Sequence, residues 1–313
     1  MNIETYLNQL GENSVIASNK IKSLTLDEKN SLLESISKSI IEDRSDIIKA
    51  NDKDIIEAQE KLSKSMIDRL QLNEERINGI IQSIETVISL PDPIGNILFT
   101  NTRPNGMKVE RVSVPLGVVG IIYESRPNVT VDASILCLKS GNSVILRGGS
   151  ESFNSNLQLV KSMQKACGNI GLDKNIIQFI ETTDRSAVDY MLSKMSDYID
   201  VVVPRGGKGL VKKVQESAKI PVIGHLDGIC HIYVDESSDP STASKIVTNA
   251  KLRRTSICGA AETVLIDEKC LNSHLPKIIN DLKSGGCEIR GDERCKEKFN
   301  EVILASDDDW KTE

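Results

Sequence analysis

The residues best suited to covalent chemistry lie in the segment KLRRTSICGAAE, residues 251–262, where Cys258 follows two arginines and precedes a glycine. A cysteine acts as a nucleophile when its thiolate is stabilised and partly exposed, and Arg253 and Arg254 could supply the positive charge. Cysteines in such settings are more often buried structural residues, as expected of Cys137 in the apolar helix stripe ILCLK. The local sequence leaves both interpretations open.

Two glycine turns could bind an anionic cofactor. The stretches ILRGGSES (145–152) and VPRGGKGL (203–210) each follow a predicted strand and precede a predicted helix, with Arg147 or Arg205 beside the glycine pair. Backbone N–H groups converge at helix N-termini and bind phosphates there. Neither stretch matches GxGxxG, and a Gly-Gly joint can be a plain tight turn. Two such turns with cations in one sheet favour a nucleotide.

A histidine-rich stretch, GHLDGICHIYVD (224–235), suggests a metal or a catalytic pair through His225, Asp227, Cys230 and His231. Side chains alternate across a strand, so Cys230 and His231 should lie on opposite faces. Joint ligation of a metal is therefore disfavoured, and we predict no metal site. His225 precedes a glycine turn and could face a cleft, whereas His231 is expected to be an ordinary strand histidine.

The composition excludes several classes of function. The formal charge is −6 with a pI near 5.4, so no basic surface suits nucleic acid. No run of about 18 apolar residues could span a membrane, and the N-terminus lacks a secretory pattern. The seven cysteines lack disulfide or zinc spacing. We expect a cytoplasmic protein with reduced thiols.

The first 90 residues are predicted to be helical, because apolar residues recur at spacings of three and four. Thr25 and Glu28 form the pattern of a capping box at the start of one helix. A second apolar stripe, over 77–88, stops before Pro91 and Pro93, which cannot continue a helix.

The rest of the chain alternates between short β-branched runs and helical stretches, which predicts an α/β fold with a parallel sheet covered by helices. The predicted strands are 117–123, 143–147, 176–180, 200–203, 220–223, 231–234 and 263–266. The predicted helices are 129–139, 151–167, 184–194, 208–217, 240–252 and 270–283. We divide the chain into residues 1–228, with the helices and the cofactor domain, and 229–313, a smaller α/β domain.

Together these stretches resemble one family. The motifs VPLGVVGIIYESRPNVTVDASILCLKSGN, VILRGG, YIDVVVPRGGKGL, GHLDGICHIYVD and NAKLRRTSICGAAET are similar to those of the γ-glutamyl phosphate reductases, also called glutamate-5-semialdehyde dehydrogenases, in the aldehyde dehydrogenase superfamily. The resemblance implies an aldehyde-dehydrogenase-like fold, with N-terminal helices, a Rossmann-like NADP-binding domain and an α/β catalytic domain. It also identifies Cys258 as the family's catalytic cysteine.

The reaction implied by the resemblance is reduction of L-glutamyl 5-phosphate by NADPH to L-glutamate 5-semialdehyde, with release of phosphate, in proline biosynthesis. Cys258 would form a thioester that then accepts hydride. A glutamate kinase would supply the labile acyl phosphate, and the family implies a homo-oligomer.

The resemblance also assigns supporting residues. A side-chain amide should help the Cys258 N–H bind the oxyanion; counting without gaps puts Arg126 at its place, whereas residue type favours Asn128. Arg126, Arg253 or Arg254 could hold the phosphate or α-carboxylate of the substrate.

For the cofactor, the resemblance assigns Arg147, Gly148 and Ser150 in the first turn, and Arg205, Gly206 and Gly207 in the second. Ser150 stands where NAD-preferring relatives have a glutamate, so NADP is favoured.

Two departures, one from the wider aldehyde dehydrogenase superfamily and one in length, define the alternatives. His225 stands where oxidising aldehyde dehydrogenases have a water-activating glutamate, which disfavours an oxidative semialdehyde dehydrogenase. Family members continue for roughly a hundred further residues, so the catalytic domain and the subunit-pairing strands are expected to be incomplete here. An inactive nucleotide-binding fragment is therefore the alternative from another class.

Overall fold

The computed structural model describes residues 2–224, 228–255 and 257–312. The chain divides into two compact units, Met1–Gly224 and His225–Glu313.

The first unit opens with five helices, as the apolar spacing predicts. They are α1 (Ile3–Ile21), α2 (Leu26–Glu42), α3 (Arg44–Ala58), α4 (Lys64–Leu70) and α5 (Glu74–Ser89). The predicted capping box is confirmed, because Thr25 N–H donates to Glu28 Oε2 (2.7 Å) and Glu28 N–H donates to Thr25 Oγ1 (3.3 Å). α5 ends before Pro91, which agrees with the helix-breaking effect of proline.

An antiparallel hairpin follows that the sequence did not predict. Its strands are β1 (Ile97–Thr102) and β2 (Lys108–Val112). All of β2 and nearly all of β1 are exposed. A strand without a buried face has no reason to alternate apolar and polar residues, so the usual signal is missing.

Four parallel strands and their helices complete the first unit and confirm the predicted α/β fold. The elements are β3 (Val118–Tyr123), α6 (Pro127–Lys139), β4 (Ser143–Arg147), α7 (Phe153–Asn169), β5 (Ile177–Phe179), α8 (Ser186–Lys194), β6 (Val201–Arg205) and α9 (Lys208–Ser217). The strand order is β5-β4-β3-β6.

The strand predicted over 220–223 is reduced to one bridge, between Val202 and Val222, so that prediction was wrong in extent. Val202 N–H donates to Pro221 O, and Ile223 N–H donates to Val202 O, both at 2.9 Å. Pro221 has no N–H to donate, which limits how far a ladder can continue.

The sheet is buried on both faces, and β3 shows how. Val119, Ile121 and Tyr123 pack into one apolar cluster with α2, α5, α6 and α7. Val118 and Ile122 pack into the other, with α1 and α8. Successive side chains of a strand point to opposite faces, so a continuous apolar run is what a doubly covered strand requires.

The second unit contains two pairs of parallel strands among the described residues. Its elements are β7 (Cys230–Val234), α10 (Pro240–Leu252), β8 (Ala261–Ile266), α11 (Leu275–Ser284), β9 (Arg290–Gly291), α12 (Glu293–Lys298) and β10 (Ile303–Leu304). β7 pairs with β8, and β9 pairs with β10. α11 begins five residues later than predicted, because residues 268–270 form a separate 3₁₀ turn. None of the described helices has the length and apolar character needed to cross a bilayer.

A buried carboxylate fastens the N-terminal helices to the sheet domain. Asp54 of α3 is 2% exposed and accepts hydrogen bonds at the start of α7. Its Oδ1 accepts from Asn154 N–H (3.1 Å) and Nδ2 (2.9 Å), and its Oδ2 accepts from Ser155 N–H (2.8 Å) and Oγ. The first N–H groups of a helix have no partner within it, so this carboxylate caps α7 from another helix.

Replacing Asp54 with alanine should lower the free energy of unfolding by about 3 kcal/mol, because several buried donors of α7 lose their acceptor. Urea unfolding followed by circular dichroism measures the change. Asp52→Ala, at an exposed position of the same helix, is the matched control and should cost less than about 0.5 kcal/mol. Equal losses in the two variants would contradict this role for Asp54.

Candidate active site

The loops predicted to bind a cofactor leave the same edge of the first unit's sheet. Ile122 of β3 is in register with Arg147 at the end of β4, and Tyr123 is in register with Arg205 at the end of β6. Parallel strands bring their carboxyl ends to one edge, where open α/β sheets bind ligands. The segments after β3, β4 and β6 therefore lie side by side.

In the second glycine turn, a backbone N–H is already hydrogen-bonded to a carboxylate of the chain itself. Gly207 precedes α9, and its N–H donates to Oε1 of Glu124 at 2.8 Å. Gly206 lies so close to this carboxylate that an added Cβ would be 2.6 Å from Glu124 Cδ, whereas Gly207 leaves room for a Cβ. Arg205 is exposed at the end of β6. A carboxylate thus occupies the helix N-terminus at which the sequence predicts an anionic cofactor.

Glu124 belongs to this candidate site, although the sequence did not predict it. It follows β3 directly, and its backbone N–H donates to Arg205 O at 3.1 Å, so the end of β3 is tied to the end of β6. A carboxylate directly after a buried parallel strand was a signal that could have found it. A cofactor phosphate at Gly207 would have to displace this side chain.

Arg147, predicted to be a cation for the cofactor, is buried beneath its loop. Its exposed fraction is 8%, and its guanidinium donates to the carbonyl groups of Gly148 and Thr183, the latter at 3.1 Å. Burial lowers the pKa of this guanidinium, while the nearby Glu151 carboxylate opposes the shift. In this arrangement Arg147 supports the loop from below and adds positive charge at short range.

Glu151 and Ser150 behave differently in the same loop. Ser150 is exposed, as a contact to a cofactor phosphate requires. Glu151 accepts a hydrogen bond from the Ser125 hydroxyl. Burial raises the pKa of Glu151, but hydrogen bonds from Ser125 and the loop and the charge of Arg147 outweigh it, so the net pKa is lowered. The carboxylate is therefore ionised at neutral pH and directed toward Ser125.

Asn128 and Arg126, the two candidates for the oxyanion contact, lie at the start of α6. Asn128 is exposed, and its Nδ2 donates to Asp132 Oδ2 at 2.9 Å, which leaves its second N–H for another acceptor. Arg126 is half-buried at the N-cap position of α6, and its backbone N–H donates to Glu124 O at 2.7 Å. The side chains of Arg126, Asn128 and Asp132 line one cavity of about 450 Å³.

Cys258 lies in the second unit, in the segment between α10 and β8, and is the one exposed cysteine of the seven. Cys137 and Cys167 are buried, and burial raises the pKa of each thiol to about 12. Burial and the neighbouring Asp292 raise the pKa of Cys295 to about 11. A thiol must be accessible to attack a substrate, so exposure singles out Cys258.

The surroundings of Cys258 are polar and close-packed on one side. Cys230 Sγ donates to Cys258 O at 3.3 Å, and a Cβ added at Gly228 would lie 2.3 Å from the same oxygen. Arg253 and Arg254 are both exposed. The chain around Cys258 is therefore held through its carbonyl group, while its side chain stays accessible.

The histidine stretch is only partly described. His225 lies outside the described residues. His231 is exposed, and its Nδ1 lies 2.6 Å from Ile229 O. No group of three or more histidine, cysteine or acidic side chains in the described part of the chain is placed to hold a metal ion.

Comparisons with known proteins identify the family. The model of the aldehyde dehydrogenase family matches residues 12–292. A γ-glutamyl phosphate reductase of Brucella suis biovar 1 is 45% identical over 306 residues, which are 97% of this chain and 73% of that protein. A solved γ-glutamyl phosphate reductase from Thermotoga maritima is 41% identical with a TM-score of 0.90 and covers 98% of this chain and 74% of that one. The chain belongs to the γ-glutamyl phosphate reductase family.

A more distant member supports the same assignment. The solved γ-glutamyl phosphate reductase of Saccharomyces cerevisiae is 32% identical, with a TM-score of 0.65, and covers 94% of this chain and 74% of that one. The chain thus spans about three quarters of the length of these relatives. The resemblance read from the motifs is confirmed, and so is the aldehyde-dehydrogenase-like fold. The chain is accordingly a member of a family of oxidoreductases.

Within this reductase fold, the need for Gly148 comes from packing. A Cβ at Gly148 would lie 2.2 Å from Asn156 Nδ2 and 3.0 Å from the Tyr123 ring. Asn156 belongs to a buried chain of hydrogen bonds, since Thr130 Oγ1 lies 2.7 Å from Tyr123 Oη and donates to Asn156 Oδ1 (2.9 Å). Asn156 Nδ2 in turn donates to Ser152 Oγ at 2.9 Å. These contacts within the chain explain why residue 148 is a glycine, and no ligand is needed for the explanation.

Gly148→Ala should therefore lower the free energy of unfolding by about 2 kcal/mol, because the added methyl group forces the buried chain apart. The control is Gly207→Ala, whose Cβ would meet Glu124 Oε1 at an ordinary 3.4 Å and should change stability by less than about 0.5 kcal/mol. Thermal unfolding by calorimetry measures both. A Gly148→Ala protein as stable as the wild type would refute the packing explanation.

Proposed function

We propose that this chain reduces L-glutamyl 5-phosphate to L-glutamate 5-semialdehyde with NADPH and releases phosphate, as a step of proline biosynthesis. The observation that carries the proposal is the exposed Cys258 in a chain of the γ-glutamyl phosphate reductase family. The named activity of the relatives supplies the substrate.

Cys258 is the nucleophile in this proposal. Its thiolate attacks the acyl carbon of the γ-glutamyl group, the C–O bond to phosphate breaks, and phosphate leaves with the bond electrons. The resulting thioester carbon then receives a hydride, and the thiohemiacetal oxyanion collapses to the aldehyde as the C–S bond breaks. The thiolate is thereby regenerated, and the acyl group has gained two electrons.

Charged and polar groups support each stage. The Cys258 backbone N–H and the Asn128 amide are the proposed donors to the oxyanion, because donors aimed at developing charge lower the barrier most. Arg253 and Arg254, both exposed, are suited to the departing phosphate or to a carboxylate. Arg126 is a further candidate for the same anions.

The first unit is the proposed site of NADPH, which supplies the hydride when bound. The residues fit a phosphate group, because the N–H of Gly207 at the start of α9 already donates a hydrogen bond to a carboxylate. Gly206 and Arg205 complete that turn. Ser150 is exposed beside the first turn and, unlike a glutamate, does not repel a 2′-phosphate, so NADPH is favoured over NADH.

Changing Cys258 to serine should reduce activity by at least about a thousandfold, because a neutral hydroxyl is a far weaker nucleophile than a thiolate. The assay is phosphate-dependent reduction of NADP in the presence of L-glutamate 5-semialdehyde. Cys287→Ser, at a half-buried position of the same unit, is the control and should stay within about threefold of the wild type.

The same assay, together with NADPH fluorescence, separates the proposed reductase from the two alternatives. An oxidative semialdehyde dehydrogenase would reduce NADP without phosphate and release glutamate. A nucleotide-binding fragment would quench or enhance NADPH fluorescence on binding but show no turnover. Equal phosphate-dependent rates for the wild type and the Cys258→Ser protein would refute the proposed mechanism.

Ser150→Glu should weaken NADPH binding by about tenfold or more and leave NADH binding nearly unchanged, because the new carboxylate repels the 2′-phosphate. Fluorescence titration with each cofactor measures the ratio. Ser217→Glu, exposed at the other end of α9 from the glycine turn, adds the same charge as a control. A similar loss for NADH and NADPH would contradict the assignment of Ser150.

A further inference from the structure

A second thiol lies beside the exposed Cys258 and has no part in the covalent chemistry proposed above. Cys230 is the first residue of β7, and its Sγ donates to Cys258 O at 3.3 Å. The oxygen and sulfur atoms of one cysteine are separated only by its carbonyl carbon, Cα and Cβ, so a group that contacts the oxygen is also near the sulfur. Cys230 is therefore a thiol within side-chain reach of the proposed nucleophile.

The strand pairing of the second unit keeps the two cysteines together. β7 and β8 are parallel neighbours, and Cys230 is paired with Ala261 at the start of β8. Ala260 N–H donates to Ile257 O at 2.9 Å, so the chain makes a tight turn directly before β8. Cys258 lies within this turn and is thereby held beside the start of β7.

Gly228 shows how closely the two segments approach. A Cβ added at Gly228 would lie 2.3 Å from Cys258 O and 3.3 Å from Cys258 Cβ. The Cys230 thiol meets the same oxygen from two residues further along the chain. Approach at this range is what a disulfide needs, since the two Cα atoms that it joins lie about 4.4–6.8 Å apart.

Exposure singles out this pair among the seven cysteines. Cys258 is exposed, and Cys230 is half-buried. Of the remaining cysteines, three are buried, and two are half-buried against apolar clusters that include residues of α11. Redox-sensitive cysteines are accessible to solvent and lie next to a second thiol that resolves their oxidised form.

We propose that Cys258 and Cys230 form an oxidative modification site, in which a hydroperoxide oxidises Cys258 and Cys230 resolves the product as an intramolecular disulfide. The Cys258 thiolate attacks the distal oxygen of the hydroperoxide, the O–O bond breaks, and the leaving oxygen takes up a proton. Cys258 becomes a sulfenic acid, and the hydroperoxide is reduced by two electrons. Cys230 Sγ then attacks the Cys258 sulfur, the S–O bond breaks, and the hydroxide leaves as water with the proton of the Cys230 thiol.

The disulfide protects the proposed nucleophile while taking it out of use. A sulfenic acid that meets no thiol is oxidised further to sulfinic acid, which ordinary thiols do not reduce. A disulfide, in contrast, is reversed by exchange with another thiol. Cys230 therefore converts a permanent loss of Cys258 into a reversible one. This chemistry goes beyond the proposed function and depends on neither its substrate nor its cofactor.

Peptide mapping of the oxidised chain tests the inference without requiring turnover. The tryptic peptides 220–245 and 255–269 contain one cysteine each, Cys230 in the first and Cys258 in the second. The reduced chain is treated with a small molar excess of hydrogen peroxide, and its remaining thiols are alkylated before digestion. The main oxidation product should be these two peptides linked to each other, and dithiothreitol should release them.

Cys230→Ser should remove the resolving thiol and leave Cys258 open to oxidation. Labelling of Cys258 sulfenic acid by dimedone should rise at least about fivefold, and sulfinic acid that dithiothreitol does not reverse should accumulate. Cys230→Ala is a second variant and should behave in the same way. Cys287→Ser, the same substitution at another half-buried thiol of this unit, is the matched control and should keep the yield of linked peptides within about twofold of the wild type.

Three results in the wild type would each overturn the inference: oxidation of Cys258 without linkage to Cys230, linkage of Cys258 to another cysteine or to a second chain, and resistance of Cys258 to peroxide. Equal dimedone labelling of the wild type and both Cys230 variants would do the same. Phosphate-dependent turnover that survives formation of the disulfide would leave this site intact and count against Cys258 as the nucleophile of the proposed function.

Discussion

The common direction of four strands is the constraint on which the first unit depends. Because β3, β4, β5 and β6 are parallel, every return connection must cross a face of the sheet, and helices cover both faces. The same arrangement brings the carboxyl ends of β3, β4 and β6 to one edge. Polar loops can then gather there around a ligand while the strands remain mostly apolar.

The packing that holds this edge in place also explains why its residues are not interchangeable. Gly148 is needed for the buried hydrogen-bond chain through Asn156, whereas Gly206 gives room to the Glu124 carboxylate. The guanidinium of Arg147 donates hydrogen bonds to backbone carbonyl groups of the loops. Two turns with similar sequences therefore have different physical roles: the first is a packing joint with an exposed serine, and the second is an anion-binding helix N-terminus.

The second unit supplies an exposed thiol, whereas the loops of the first unit supply backbone N–H groups and charged side chains. Its segment between α10 and β8 exposes Cys258, while the Cys258 carbonyl is fixed by Cys230. Fixing the backbone and leaving the thiol accessible suits a nucleophile, since the attacking atom must move little and must reach the substrate.

The sequence by itself determined the α/β fold, most element positions, the capping box of Thr25 and Glu28, the family and the candidate nucleophile. These depend on local periodicity, local capping or dense motifs, which the residue order contains directly. It missed the exposed hairpin of β1 and β2, whose strands have no buried face to pattern, and it overextended the strand at 220–223. Only the tertiary structure decided that Glu124 occupies the N-terminus of α9 and that Arg147 is buried beneath its loop. Each of these is a contact or a burial between residues distant in sequence, and no local pattern encodes it.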